Sequence, residues 1–239
     1  MRTVTAKART PVGLNNRQVT RLLKRLSTAR SIETRLDEAS GFFLDHGYAQ
    51  DPLGGGPQLT EVFRASLQEF DCVTYMESVL ALAASSNADE FAKHLRQIRY
   101  RNGKVNWFER NHYMAAWLAN NKQLGVLADL TRGPETITRT RTLDVVRGLP
   151  TRRVTFRCFP KRRLAAIKRR IRTGDLILFV SARKHLDVFH TGILIRRDDR
   201  VLLRHATRSA GKVIEQDLAD FLKKNRMSGF ILARPLCRP

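Results

Sequence analysis

The stretch FDCVTYMESVLALA, residues 70–83, decides how this chain is expected to fold. It is too long for a typical strand and lacks strict alternation, so it predicts a helix. Asp71 is a good N-cap residue, because its carboxylate can accept a hydrogen bond from a free N–H of the first turn. Cys72 is then the first helical residue, at the positive end of the helix dipole, where a thiolate is favoured.

The predicted helix is apolar on every side, which is typical of a helix buried all round. Glu77 interrupts it and needs a buried partner, for which the many arginines are candidates. A cysteine in such a run is more often a small core residue than a reactive one. The position of Cys72 in the first turn favours reactivity, but it does not decide between the two roles.

Length and composition indicate a globular protein. A chain of 239 residues with 42% apolar residues can bury a full core in one domain or two small ones. It has neither an apolar run long enough to span a membrane nor a recognisable secretory signal. We expect a disordered basic arm at residues 1–14 and a single domain at 15–239. The three cysteines are too few for a disulfide framework.

The net charge of +22 is spread unevenly. Residues 1–35 carry +8, residues 36–131 carry −4, residues 132–172 carry +12 and residues 173–239 carry +6. Such a field attracts polyanions. We therefore expect residues 132–172 to contact an anionic polymer.

The order of predicted elements is typical of an α+β protein. Helices are predicted first, near residues 16–26, 71–83, 88–98 and 110–121. Strands dominate from Gly125 onward, interrupted by the basic helix KRRLAAIKRRI and by a short helix over residues 217–225. The stretch GFILAR is the last predicted strand.

Two of the six histidines, His190 and His205, lie on adjacent predicted strands joined by the charged turn RRDDR. If Asp198 and Asp199 are the two turn residues, the numbers of paired positions sum to 397, and His205 is the diagonal neighbour of His190. Diagonal neighbours lie about 7–8 Å apart, so the two imidazoles can meet. Satisfied core histidines and functional ones are both compatible with this pattern. Asp-Asp is not a preferred turn pair, which leaves the register open.

The order of Cys72, His190 and His205 resembles that of the NlpC class of papain-like cysteine hydrolases. In that class the cysteine begins a helix and both histidines come from consecutive strands. Longer segments resemble one branch, the bacterial N-acetylmuramoyl-L-alanine amidase-like family. They cover roughly residues 40–235 and include IRYRNGKVNWFERNHYMAAWLANN, TGDLILFV, LDVFHTGIL and GFILARP.

The resemblance implies an α+β, papain-like (NlpC-class) core, in which the nucleophile helix packs on an antiparallel sheet beside additional N-terminal helices. It implies hydrolysis of the amide between N-acetylmuramic acid and L-Ala of the peptidoglycan stem peptide, through a thioester acyl-enzyme. Cys72 would be the nucleophile, His190 the base and then the acid, and His205 the residue that orients it. Candidate substrate-binding residues are Tyr48, Asp71, Asn111, His112 and Trp117.

The resemblance assigns no role to the motif Arg110–Trp117, and His112, on its predicted helix, is expected to make a structural or substrate contact. It also implies a location in the cell envelope or periplasm, whereas the missing signal leaves a cytoplasmic location open. We expect a monomer that needs no cofactor. We also expect no metal site, because the histidines lack cysteine partners at zinc spacing. A murein endopeptidase, a related acyltransferase and a basic nucleic-acid-binding protein are the alternatives.

Overall fold

The apolar stretch that begins at Cys72 forms a helix against one face of a large sheet in the computed structural model, which describes residues 10–236. The described part of the chain contains seven α-helices: α1 (Asn16–Leu26), α2 (Ile32–Phe42), α3 (Cys72–Ala83), α4 (Ala88–Arg99), α5 (Met114–Gln123), α6 (Leu164–Ile167) and α7 (Leu218–Lys224). None of these helices is long and apolar enough to cross a membrane.

The strands form a mixed α+β fold with a largely antiparallel sheet. They are β1 (Gly47–Tyr48), β2 (Glu69–Phe70), β3 (Leu127–Asp129), β4 (Ile137–Leu143), β5 (Arg152–Cys158), β6 (Leu176–Val180), β7 (Val188–Arg197), β8 (Arg200–Thr207), β9 (Lys212–Asp217) and β10 (Gly229–Pro235). Eight of them form one sheet in the order β2-β1-β9-β8-β7-β6-β10-β3, in which only β1 and β2 are parallel neighbours. The other two, β4 and β5, form a separate ribbon.

The large sheet separates two apolar clusters. On one face α1, α3 and α4 contribute most of the larger cluster, and α3 contacts β7 and β8 directly. On the other face α7 and the segment containing Ile167 and Ile171 cover side chains of β6, β7 and β8. Helix α3, which begins at Cys72, therefore lies against the strands that carry His190 and His205.

The predicted start of α3 is confirmed. The backbone N–H of Thr74 donates to Asp71 Oδ1 at 2.7 Å, and the Thr74 hydroxyl accepts from the N–H of Asp71 at 3.0 Å. This reciprocal capping box satisfies backbone groups that helix geometry leaves free. Cys72 is accordingly the first residue of the helix.

The predicted hairpin register is also confirmed. Ile193 pairs with Arg204, and Arg197 pairs with Arg200, so the paired numbers sum to 397 as expected. Asp198 in the turn has a left-handed φ of 50°. Asp tolerates this conformation better than most residues, so an aspartate fits the turn.

Several element predictions need correction. The helix predicted over residues 110–121 begins only at Met114, so His112 lies in the turn before it. The basic segment 161–171 is a run of short 3₁₀ turns around α6 instead of one helix. The elements α2, β1, β2 and β9 were not anticipated. Their signals are weak, since β1 and β2 have two residues each.

The predicted disordered arm is only partly covered by the structure. Residues 1–9 lie outside the described residues. Residues 10–14 are not loose, because the N–H of Val12 donates to the Phe63 carbonyl at 2.8 Å and Val12 forms an isolated bridge with Arg64. The expected boundary at residue 14 therefore lies too far along the chain.

Candidate active site

A cavity of about 270 Å³ opens where the N-terminus of α3 meets the start of β7. The turn before α5 and the loop near Leu53 close its other sides. Its lining combines one thiol, two imidazoles, carboxylates and arginines, and includes Asp71, Cys72, Glu77, Arg99, Arg110, Asn111, His112, Asp187, Phe189, His190 and Thr191. The cavity is thus lined by both segments in which the sequence predicts catalytic residues, the start of α3 and the start of β7.

Cys72 reaches the cavity from the first turn of α3. The hydroxyl of Thr191, next to His190 on β7, donates to the Cys72 carbonyl at 2.9 Å and ties the helix to the strand. Burial raises the pKa of the Cys72 thiol to about 12, and the negative Asp71 adds to the rise. The expectation of a dipole-lowered thiol pKa is therefore wrong for the free protein, because the cost of burying a thiolate exceeds the stabilisation from one helix end.

His190 and His205 meet as the register predicts. Nε2 of His190 faces Nδ1 of His205, and the two rings make an edge contact with centroids 4.7 Å apart. Nε2 of His205 lies 2.6 Å from the side-chain nitrogen of Gln216 on β9. Phe221 of α7 stacks on the His190 ring and meets the His205 ring edge-on.

Burial keeps both imidazoles neutral at neutral pH. It lowers the pKa of His190 to about 3, with a further contribution from neighbouring His205, and it lowers the pKa of His205 to about 4. Without substrate, the cavity is therefore lined by a neutral thiol and by a neutral imidazole, that of His190. Within the described residues, no hydrogen bond joins the Cys72 thiol to the His190 ring.

A glycine lets the second histidine approach. A Cβ added to Gly192 on β7 would lie 2.8 Å from the Arg204 carbonyl oxygen and 3.2 Å from Cβ of His205. A side chain at this position would displace β8 at His205, the residue that contacts the His190 ring.

A buried ion pair forms the floor of the cavity. Glu77 of α3 accepts a hydrogen bond from Arg99 Nε at 2.7 Å and one from the indole N–H of Trp117 at 3.1 Å. The expected arginine partner of Glu77 is thus confirmed. Trp117 itself is fully buried and does not line the cavity, so its predicted substrate contact is corrected to support of Glu77.

The motif before α5 shapes the cavity wall. Nη2 of Arg110 donates to the Gly54 carbonyl at 2.8 Å, and Nη1 lies 3.2 Å from Oε1 of Glu61. Nε2 of His112 lies 2.7 Å from the Trp107 carbonyl oxygen, and burial lowers the pKa of His112. The motif therefore holds the loop at residues 51–54 against the cavity.

The other predicted substrate-binding residues lie at or beside the cavity. Asn111 lines it, although its amide also bonds to the Ile98 carbonyl and to Asn120. Asp71 lines it while capping α3. Tyr48 does not line the cavity; burial and the neighbouring Cys72 and Asp71 raise the pKa of its hydroxyl.

Asp187 is the cavity residue that sequence analysis missed. Its carboxylate accepts from the N–H of Ala115 at 2.6 Å and from the N–H of Val188 at 2.7 Å. It thereby caps α5, whose own N-cap residue Tyr113 makes no side-chain cap. The two residues are 72 positions apart, so no local pattern could reveal the pairing.

Over residues 10–236, no group of three or more His, Cys, Asp or Glu side chains is arranged to hold a metal ion. Cys158 is fully buried, and Cys237 lies outside the described residues. The chemistry that the cavity can supply is nucleophilic attack by the thiol with proton transfer to an imidazole.

The fold is shared with solved bacterial structures. A Legionella pneumophila protein of the DUF1460 family model has a TM-score of 0.82 at 23% identity, over 93% of this chain and 94% of the other. An N-acetylmuramoyl-L-alanine amidase from Bacteroides uniformis has a TM-score of 0.76 at 26% identity, over 85% and 98%. A Bacteroides fragilis protein provisionally named a xylanase has a TM-score of 0.73 at 26% identity, over 82% and 98%.

A comparison of the sequence with curated proteins found no match. The sequence does match a family model over residues 38–230, which include α3, the Arg110–Trp117 motif and the hairpin that carries both histidines. The match extends over well more than half of the chain. The chain therefore belongs to the AmiA-like family, described as N-acetylmuramoyl-L-alanine amidase-like.

Proposed function

We propose that the protein is a cysteine-dependent peptidoglycan amidase with an NlpC-type, papain-like core. The observation that carries the proposal is that Cys72, at the first turn of α3, and His190 line one cavity, and that His190 is bonded to His205. The proposed scissile bond joins the lactyl group of N-acetylmuramic acid to L-Ala. Membership of the amidase-like family supports this choice of bond.

The first half of the proposed reaction forms a thioester. Because the resting thiol and imidazole are both neutral, the proton leaves Cys72 for His190 as the sulfur attacks the amide carbonyl. The N–H of Cys72, free of the helix ladder at its first turn, is a suitable donor to the resulting oxyanion. His190 then gives its proton to the leaving L-Ala nitrogen, and the C–N bond breaks.

The second half releases the sugar. His190 takes a proton from a water molecule as that water attacks the thioester, and the thiolate leaves and is reprotonated. His205 holds the imidazole in place through both halves, since it bonds to Nε2 of His190. By elimination, the nitrogen that exchanges protons with the thiol is Nδ1.

A murein endopeptidase of the same class is the second candidate, because the same thiol and imidazoles would serve either amide. A glycosidase, as the xylanase name of one structural neighbour would imply, fits the cavity poorly. Such enzymes need two available carboxyl groups. Among the carboxylates that line this cavity, Asp71 caps α3, Asp187 caps α5 and Glu77 pairs with Arg99, which leaves a single carboxylate, Asp51.

The basic block at residues 132–172 is proposed to hold anionic murein or another polyanion near the cavity. Arg162, Arg163, Arg169 and Arg170 are all exposed and are suitable for neutralisation to glutamine. We expect the variant with all four arginines changed to glutamine to have a higher KM that depends less on salt, while kcat at saturating substrate is unchanged. Loss of kcat would place the block in the site, and salt-resistant, sequence-selective DNA binding would favour the nucleic-acid alternative.

The substrate also implies a location at the cell envelope or in the periplasm. We propose that location, with the chain acting as a monomer on murein fragments. Fractionation that finds the protein only with cytoplasmic markers would contradict it.

The decisive experiment is mass analysis of purified muropeptides after incubation with wild type, Cys72→Ala, His190→Ala and His112→Ala, of which His190→Ala should be inactive. Wild type should release a stem peptide that begins with L-Ala, together with peptide-free sugar. Cys72→Ala should be inactive. His112→Ala, a control at the same cavity, should keep kcat within roughly tenfold, about 1.4 kcal/mol on the barrier.

Three results would contradict parts of this proposal. Full activity of Cys72→Ala would exclude the cysteine mechanism. Release of L-Ala-D-Glu would identify an endopeptidase instead of an amidase. An active His190→Ala enzyme beside a folded but inactive His112→Ala enzyme would move the base to the turn before α5.

A further inference from the structure

Gln216 extends the histidine pair across a third strand. The neighbouring strands β7, β8 and β9 contribute His190, His205 and Gln216 to the sheet face covered by α7. Gln216 pairs with Leu203, so it is the diagonal neighbour of His205. Its side-chain nitrogen lies 2.6 Å from Nε2 of His205, whose Nδ1 faces Nε2 of His190. The three side chains form one unbranched chain of hydrogen bonds.

The direction of this chain decides whether His190 can act as a base. A neutral imidazole carries one N–H and one lone pair. If the Gln216 amide nitrogen donates to His205, then His205 must donate from Nδ1 to Nε2 of His190. The single proton of His190 is then on Nδ1, and no lone pair is left for the thiol.

The opposite direction leaves the base free. If the amide oxygen of Gln216 faces His205, Nε2 of His205 donates to it and Nδ1 accepts from the Nε2–H of His190. Nδ1 of His190 then has a lone pair on the only ring nitrogen not engaged by His205. A half-turn of the amide interchanges the two directions, because its oxygen and nitrogen occupy nearly equivalent positions.

The surroundings keep both rings to a single proton. His205 is 1% exposed and both rings contact Phe221. Burial lowers the pKa of both imidazoles, so neither ring can satisfy two acceptors at once. One residue at the end of the chain therefore sets the tautomer of both histidines.

We propose that Gln216 is a positioning residue of the site, whose amide oxygen fixes both histidines as Nε2–H tautomers and leaves Nδ1 of His190 free to take the thiol proton. Gln216 acts through His205 and touches no reacting atom. The inference rests on the proposed function, since it assigns a task within the proposed proton transfer.

Two variants separate this role from packing. Gln216→Leu keeps the volume but removes the acceptor, whereas Gln216→Glu offers only acceptors. Gln68→Leu is the matched control, since Gln68 is an exposed glutamine that bonds to Gln18 on the surface. The measurements are kcat and KM on muropeptides across pH, and the nitrogen chemical shifts of both rings in the substrate-free protein.

We expect Gln216→Leu to lower kcat about tenfold to a hundredfold with little change in KM, and to move the ring proton of His205 toward Nδ1. Gln216→Glu should retain kcat above neutral pH and the Nε2–H tautomers. The acidic limb of the kcat–pH profile of Gln216→Glu should move to higher pH, because the carboxylate favours protonated His205. Gln68→Leu should match wild type in both measurements.

The inference is overturned if His190 in the wild type carries its proton on Nδ1, or if Gln216→Leu matches wild type in both kcat and ring shifts. The ring shifts need no substrate, so they test the inference even if the proposed activity fails. Activity that survives in Cys72→Ala would instead reject the proposed function without altering the tautomer result.

Discussion

The burial of two neutral imidazoles predicts a specific dependence of stability on pH. The pKa of His190 falls to about 3 and that of His205 to about 4, whereas the ordinary value is 6.5. Between these limits the unfolded chain binds more protons than the folded chain. The two rings therefore leave the free energy of unfolding undiminished above about pH 6.5 and lower it as the pH falls below that value.

The size of this loss in unfolding free energy follows from the ordinary imidazole pKa of 6.5 alone. At pH 5.5 both buried rings remain neutral, so each lowers the free energy of unfolding by about 1.4 kcal/mol relative to pH 7.5. The pair accounts for about 3 kcal/mol of the loss. Other titrating groups also contribute, but their effects cancel when a variant is compared with wild type at the same two pH values.

The assay is urea unfolding at pH 7.5 and pH 5.5 for wild type, His205→Gln, His190→Gln and Cys72→Ala. Each histidine variant should lose about 1.4 kcal/mol less than wild type between the two pH values. Cys72→Ala is the control, because a thiol with a raised pKa is neutral at both. Equal losses in all four proteins would refute the claim that the folded chain holds these rings neutral.

Three further predictions concern the cavity and its supports. Alkylation of Cys72 by iodoacetamide should accelerate from pH 7 to pH 10 without levelling off, because its pKa is raised to about 12; a plateau below pH 7 would instead indicate a thiolate–imidazolium pair. Glu77→Leu should destabilise the fold by about 3–5 kcal/mol, since it leaves Arg99 buried without a counter-ion, and the double variant with Arg99→Leu should recover much of this loss in urea unfolding. Gly192→Ala should cost about 1–3 kcal/mol and lower kcat, because the new Cβ meets the Arg204 carbonyl and Cβ of His205; a variant with unchanged kcat and stability would show that β8 can shift at no cost.

The sequence predicts the start of α3 and the register of the β7–β8 hairpin correctly because their signals are local. An N-cap aspartate next to an apolar run places Cys72, and a two-residue turn fixes the register that brings His190 to His205. Three of the four amidase-like segments lie within the matched residues 38–230, and the fourth, GFILARP, begins at the end of the match.

The missed features depend on residues far apart in the chain. Asp187 caps α5 from 72 positions away, and Arg110 holds the loop at Gly54 from 56 positions away. The pKa of Cys72 was predicted in the wrong direction for the same reason. A helix dipole can be inferred from a few residues, whereas the burial that outweighs it is contributed by distant segments.

The hydrogen bond from Thr191 to the Cys72 carbonyl has a consequence for the order of folding. Strands β7–β9, residues 188–217, form a continuous meander that contains both histidines and can pair through short loops. Cys72 lies 119 positions from Thr191, so the docking of α3 closes a much longer loop. We expect hydrogen exchange during refolding to protect the meander before the first turn of α3. The His190–His205 pair would then form before Cys72 reaches it, so a partly folded chain would lack the complete site that the proposed reaction needs.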